Sequence, residues 1–133
     1  MRPASIVHRV FRHLNGWCDA ILRLPSRILG LFHRRAAPYR TLIVEESLPK
    51  RLDLRTLYIV REDGISEQAA MICPCGCGAI LHMNLLPDER PCWTVTQHGD
   101  GTATLHPSVW RKKDCRSHFW FRQGRVQWCA EDR

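Results

Sequence analysis

Beyond residue 40 the chain breaks into short runs in which apolar positions alternate with polar ones or cluster briefly. Eight of them, TLIVEE (41–46), RTLYIVRE (55–62), QAAMIC (68–73), AILHMNLL (79–86), CWTVTQ (92–97), TATLH (102–106), HFWFR (118–122) and RVQWC (125–129), are rich in β-branched and aromatic residues. Such runs, punctuated by turn formers, predict strands. HGDG (98–101) and QG (123–124) each sit between two of them and read as hairpin connections, while LLPDERP (85–91) interrupts the middle. The first 40 residues have another period. Ile6, Val10, Leu14, Trp17, Ile21, Leu24, Ile28 and Leu31 recur at intervals of three and four, the stripe of an amphipathic helix. Gly16 weakens that helix and Pro25 splits or kinks it. The expected fold is mainly β (α+β in class). A basic amphipathic helical extension and linker over 1–40 precedes a small antiparallel β domain over 41–133.

Charge sharpens this division. Residues 1–40 carry eight arginines, no lysine and one acid, Asp19, while the remaining 93 residues balance 12 basic against 12 acidic side chains. The formal charge of +7 therefore belongs to the extension. A nucleic-acid-binding domain spreads basic residues over a folded face, so the segregation argues against one. The helix suits packing on the domain, a partner protein or a membrane surface. No apolar run approaches the roughly 20 residues of a membrane span, and the N-terminus lacks the pattern of a secretory signal. The reading is a cytoplasmic chain. In a reducing compartment, seven cysteines then point to metal binding or reactivity before disulfides.

Three of the seven, Cys73, Cys75 and Cys77, are crowded into CPCGCG. Thiolates at this density repel one another until a cation neutralises them, and structural zinc takes four such ligands in a tetrahedron. Candidates for the fourth position are His82, Cys92, Cys115 and Cys129, with Cys115 favoured because KDCRSHF places it at the mouth of a strand. A closed four-ligand site would be structural Zn2+, stabilising a sheet too small to stand easily alone. No His-x-Glu or His-Glu-x-x-His pattern supplies an acid or base beside a metal, which counts against catalytic zinc.

A second stretch, LHPSVWRKKDCRSHFW (105–120), holds serines and histidines. Neighbours on a strand face opposite ways, so Cys115 and Ser117 share one face and His118 looks to the other. Pro107 should carry the chain out of the TATLH strand and leave Ser108 on a loop. Ser108 with His118 would form a nucleophile–base pair, with Ser117 and His106 as the second nucleophile and second base. Asp114, Glu67 and Asp100 are the acids available to orient the base. Trp93, Trp110, Trp120 and Trp128 read as core and platform surface.

Taken together and in order, CPCGCG, RPCW, GTATLHPSVW, CRSHFW and GRVQWC (roughly residues 56 to 129 with their surroundings) resemble a family of small bacterial zinc-containing serine proteases. Some members are encoded in bacterial ubiquitination-like (Bub) operons beside a ubiquitin-like protein and its activating and conjugating enzymes. The resemblance implies a peptidase that trims ubiquitin-like precursors or removes the ubiquitin-like protein from its conjugates. It implies Ser108 as nucleophile, His118 as base, and Cys73, Cys75, Cys77 and Cys115 as zinc ligands. The N-terminal extension falls outside the pattern. The competing reading is a non-catalytic zinc-binding β module for protein–protein interaction.

Overall fold

In a computed structural model, which describes residues 36–130, the described residues form eight strands and no helix. They are β1 (Arg40–Glu45), β2 (Thr56–Glu62), β3 (Ile65–Ile72), β4 (Ile80–Asn84), β5 (Thr94–Gln97), β6 (Ala103–Trp110), β7 (His118–Arg122) and β8 (Arg125–Trp128). The amphipathic helix expected at the N-terminus lies outside the described residues. Among the described residues no helix is long and apolar enough to cross a membrane.

The strands make two four-stranded sheets, ordered β1-β2-β3-β4 and β5-β6-β7-β8. All pairings are antiparallel except one, because β1 and β2 run parallel, with Arg40 opposite Thr56 and Val44 opposite Val60. The expected antiparallel β domain has this one parallel pair. Its cause is the connection over 46–55, which contains Pro49 and Pro-flanking polar residues unsuited to a tight hairpin. It returns the chain to the starting end of β1, held by an ion pair from Arg40 to Asp53 at 2.6 Å and by the Asp53 amide donating to the Tyr58 hydroxyl at 3.0 Å.

One core joins the sheets. Period-two alternation sends Leu57, Ala69, Met71, Leu81 and Met83 inward from the first sheet, and Ala103, Leu105, Val109, Phe119 and Phe121 inward from the second. Phe119 and Phe121 are fully buried, each stabilising the fold by roughly 1.5–3 kcal/mol through lost water contact. Both belong to β7, so that strand is pinned by its inward side while its other face stays open. The β7–β8 hairpin closes through Gln123 and Gly124, with φ of 47° and 67°, the left-handed pair of a two-residue turn. Tyr39 donates its amide to the Gly124 carbonyl at 2.7 Å and packs edge-on against Phe121. A side chain at 124 would meet the Tyr39 oxygen at 2.6 Å, so only glycine fits there.

Candidate functional site

The CPCGCG segment is the turn between β3 and β4. The Cys73 amide donates to the Ala79 carbonyl at 2.7 Å and the Gly76 amide to the Cys73 carbonyl at 3.3 Å, folding the three cysteines onto one side. Cys115 approaches from the β6–β7 loop. The four sulfurs of Cys73, Cys75, Cys77 and Cys115 all lie within 4.8 Å of one another. Cys73 Sγ is 3.4 Å from Cys75 Sγ and 3.8 Å from Cys115 Sγ. A tetrahedron with metal–sulfur bonds near 2.3 Å has sulfur–sulfur edges of about 3.8 Å, so this donor set fits a tetrathiolate metal ion. His82 is exposed on β4, Cys92 turns its thiol to the Trp93 carbonyl, and Cys129 donates its amide to the His118 carbonyl. None of the three belongs to the four-sulfur group.

Cys73 is buried in the core while Cys75 and Cys77 are exposed. Burial pushes the Cys73 thiol up to about 12, against a lowering contribution from the Ser117 hydroxyl. The Ser117 hydroxyl, followed by the Cys77 backbone, holds Cys75 down at about 6, and the same hydroxyl leads in lowering Cys115. Cys75 and Cys115 are thus pushed toward the thiolate beside a Cys73 thiol that resists ionising, a conflict a cation resolves. Arg111 supports the exposed side, donating to Cys77 Sγ at 3.8 Å while paired with Asp114.

Ser117 is buried, with Oγ 3.3 Å from Cys73 Sγ and 3.2 Å from Cys115 Sγ. It therefore belongs to the sulfur cluster and not to a nucleophile–base pair. One residue on, His118 emerges on the opposite face of β7, and its Nε2 lies 3.0 Å from Ser108 Oγ. Ser108 is not on a loop, as the proline had suggested, but inside β6. There Leu105 pairs with Phe121 and Val109 with Phe119, so β6 spends four steps where β7 spends two. Pro107, which has no N–H to give a ladder, sits in this bulge. The bulge turns Ser108 toward β7, a use to which bulges beside functional groups are often put. Trp93 fixes the same residue from behind, its indole N–H donating to the Ser108 carbonyl at 3.3 Å.

No carboxylate is bonded to His118 among the described residues. Asp114 is taken by Arg111, and Asp100 accepts from the amide and hydroxyl of Thr102 in the β5–β6 turn. What holds the imidazole instead is Trp110, its cross-strand partner, stacked on it with ring centroids 5.1 Å apart and planes 22° from parallel. Lys112 caps the indole at 5.0 Å. The second candidate base, His106, stacks on Trp120 at 6.0 Å. Sequence reasoning classed Trp110 with the tryptophans of core and platform surface. Its pairing with His118 depends on a register containing two extra residues, which local alternation does not reveal.

Chemically the site has two halves back to back on one strand. One is a thiol group suited to a metal ion; the other is a hydroxyl hydrogen-bonded to an imidazole on an open sheet face. A family model described as bacterial ubiquitination-like system serine protease (BubE) matches residues 44–129. Searches of the curated proteins and of the solved structures gave no match.

Proposed function

The chain belongs to the family of bacterial ubiquitination-like system serine proteases, and from that premise we propose that it cleaves a ubiquitin-like protein from its precursor or conjugates, with Ser108 as nucleophile and His118 as base. The observation that carries this reading is the 3.0 Å contact between Ser108 Oγ and His118 Nε2. In a serine protease family the required pair is a hydroxyl whose proton an adjacent base can accept. For Nε2 to accept, the neutral ring carries its hydrogen on Nδ1. Ser108 Oγ then attacks the carbonyl at the end of the ubiquitin-like tail as His118 takes its proton. His118 returns that proton to the leaving amine, and water hydrolyses the acyl-enzyme. Backbone amides released from the β7 ladder by the β6 bulge are the candidate oxyanion donors.

Trp110 takes over the orienting part that an acid plays elsewhere, holding the ring plane by stacking. Cys73, Cys75, Cys77 and Cys115 would hold zinc, which in a closed four-sulfur site supplies structural cross-linking and no open coordination position. Its ligand Cys115 lies three residues before the base, so its effect on activity runs through the position of β7.

The test is labelling of the full chain with a serine-reactive fluorophosphonate, with the modified residue located by mass spectrometry. Labelling at Ser108 in the parent, and its loss in Ser108→Ala with metal content unchanged, is expected. Undiminished labelling of Ser108→Ala removes Ser108 from the mechanism. Absence of labelling at every serine leaves the non-catalytic zinc-binding module as the reading.

A further inference from the structure

β4 ends the first sheet, and its outer side is an unpaired edge. Which backbone groups face that edge follows from the ladder. Across from β3, the Cys73 amide bonds the Ala79 carbonyl at 2.7 Å and the Leu85 amide bonds the Glu67 carbonyl at 2.9 Å. In an antiparallel pair hydrogen-bonded positions alternate, so residues 79, 81, 83 and 85 direct their backbone groups to β3. Ile80, His82 and Asn84 direct theirs outward. The Asn84 carbonyl is taken by the Trp93 amide at 2.8 Å. Among the described residues, the N–H and C=O of Ile80 and His82 remain without a strand to bond.

These groups border a groove of about 270 Å³ whose walls include Ile80, His82, Met83, Trp93, Trp110 and Arg111. The far wall leads to the chemistry. Trp110 is stacked on His118, and Trp93 donates to the Ser108 carbonyl. Ile80 and Trp110 are among the exposed large apolar side chains, at 45% and 54%. A second groove, about 430 Å³, is the one His118 itself lines, but Cys75 and Cys115, whose sulfurs belong to the metal cluster, line it too.

We propose that the β4 edge is the docking site for the acyl-side tail of the substrate. An extended polypeptide segment adds to the first sheet through main-chain hydrogen bonds to Ile80 and His82, and its terminal carbonyl passes Trp110 to reach Ser108. This rests on the peptidase reading above and names how the substrate is held. An unpaired edge carrying two residues' worth of donors and acceptors recognises a backbone, and the conformation it demands is an extended one. Folded surfaces cannot enter the groove between β4 and Trp110. A flexible tail can.

The test uses the isotope-labelled full chain and a synthetic octapeptide copying the C-terminal tail of a ubiquitin-like protein from a bacterial ubiquitination-like system, followed by amide NMR. Added peptide is expected to shift the Ile80 and His82 amides and, at about nine times Kd, to slow their hydrogen exchange about tenfold. His82→Pro removes an edge donor without touching the β3 ladder, as proline is tolerated on edge strands, and should weaken binding about fivefold. Shifts centred on β8 or β1, no shifts at all, or changes at Ile80 and His82 that depend on protein concentration without peptide (a second copy on that edge) each overturn the proposal. Phosphonate labelling of Ser108 in the same sample reports on the peptidase reading separately. Docking without labelling defeats that reading alone, and labelling without docking defeats this one.

Discussion

Replacing Ser117 with alanine separates the two serines that the sequence left as rivals. Ser117 Oγ lies 3.3 Å from Cys73 Sγ and 3.2 Å from Cys115 Sγ, and it is buried, so water cannot take its place. With metal bound, both sulfurs are anionic and the hydroxyl can donate to one of them. A hydrogen bond to a charged group contributes about 1.5–3 kcal/mol, which corresponds to a factor of roughly 10 to 150 in affinity. Groups hydrogen-bonded to metal ligands independently give losses of about 10- to 100-fold when removed. Zinc affinity of Ser117→Ala, measured by competition with a chromophoric chelator, is therefore expected to fall about 10- to 100-fold. Metal-loaded Ser117→Ala should keep its phosphonate labelling at Ser108. An unchanged zinc Kd would show that the Ser117 hydroxyl does not support the sulfur cluster, and lost labelling with zinc fully bound would return Ser117 to the list of nucleophiles.

Trp110→Ala removes the surface against which His118 stacks. An aromatic pair is worth about 0.5–1.5 kcal/mol beyond its area, so phosphonate labelling should slow by roughly 2- to 12-fold, with Trp110→Phe recovering most of the rate; equal rates in all three proteins would rule out orientation by stacking. Gly124→Ala combines a left-handed backbone cost of about 1–2 kcal/mol with displacement of Tyr39 and its 2.7 Å bond, for a loss of about 2–4 kcal/mol by urea unfolding. A loss below about 1 kcal/mol would mean that the hairpin shifts away from Tyr39 freely. Zinc affinity should weaken as pH falls, because burial holds the Cys73 thiol at about 12 and its proton must leave before metal binds. Each proton released makes that dependence about tenfold per pH unit, and an affinity independent of pH between about 6 and 8 would contradict it.

The eight strands were legible because each is a short β-branched or aromatic run bounded by turn residues, and two of the hairpin turns announced themselves in HGDG and QG, while the Asp63–Gly64 turn between β2 and β3 went unread. Strand period alone placed Ser117 with Cys115 and turned His118 the other way, which the structure repeats. The parallel pairing of β1 with β2 was not legible, since the direction of return over 46–55 is decided by Arg40, Asp53 and Tyr58, far from the residues that make either strand. Pro107 does break regular pairing, as expected, but neighbouring ladders absorb the break as a bulge and Ser108 stays within β6. Cys115 was one of four candidates to complete the sulfur group, and only the path of the β6–β7 loop brings it there. Two of the acids offered as partners for His118, Asp114 and Asp100, are engaged by Arg111 and Thr102 instead. Nothing in a one-dimensional pattern shows that the indole of Trp110, on the adjacent strand, will stack on His118.

Ser117 and His118 are neighbours whose side chains must never trade places. A one-step slip of β7 against β6 would turn the imidazole into the sulfur pocket and the hydroxyl out to water, inverting both halves at once. Short edge-rich sheets are prone to such misalignment while they assemble. Capture of a metal ion by Cys115 together with the β3–β4 knuckle would therefore favour a single alignment of β7, the one that also sets His118 beside Ser108.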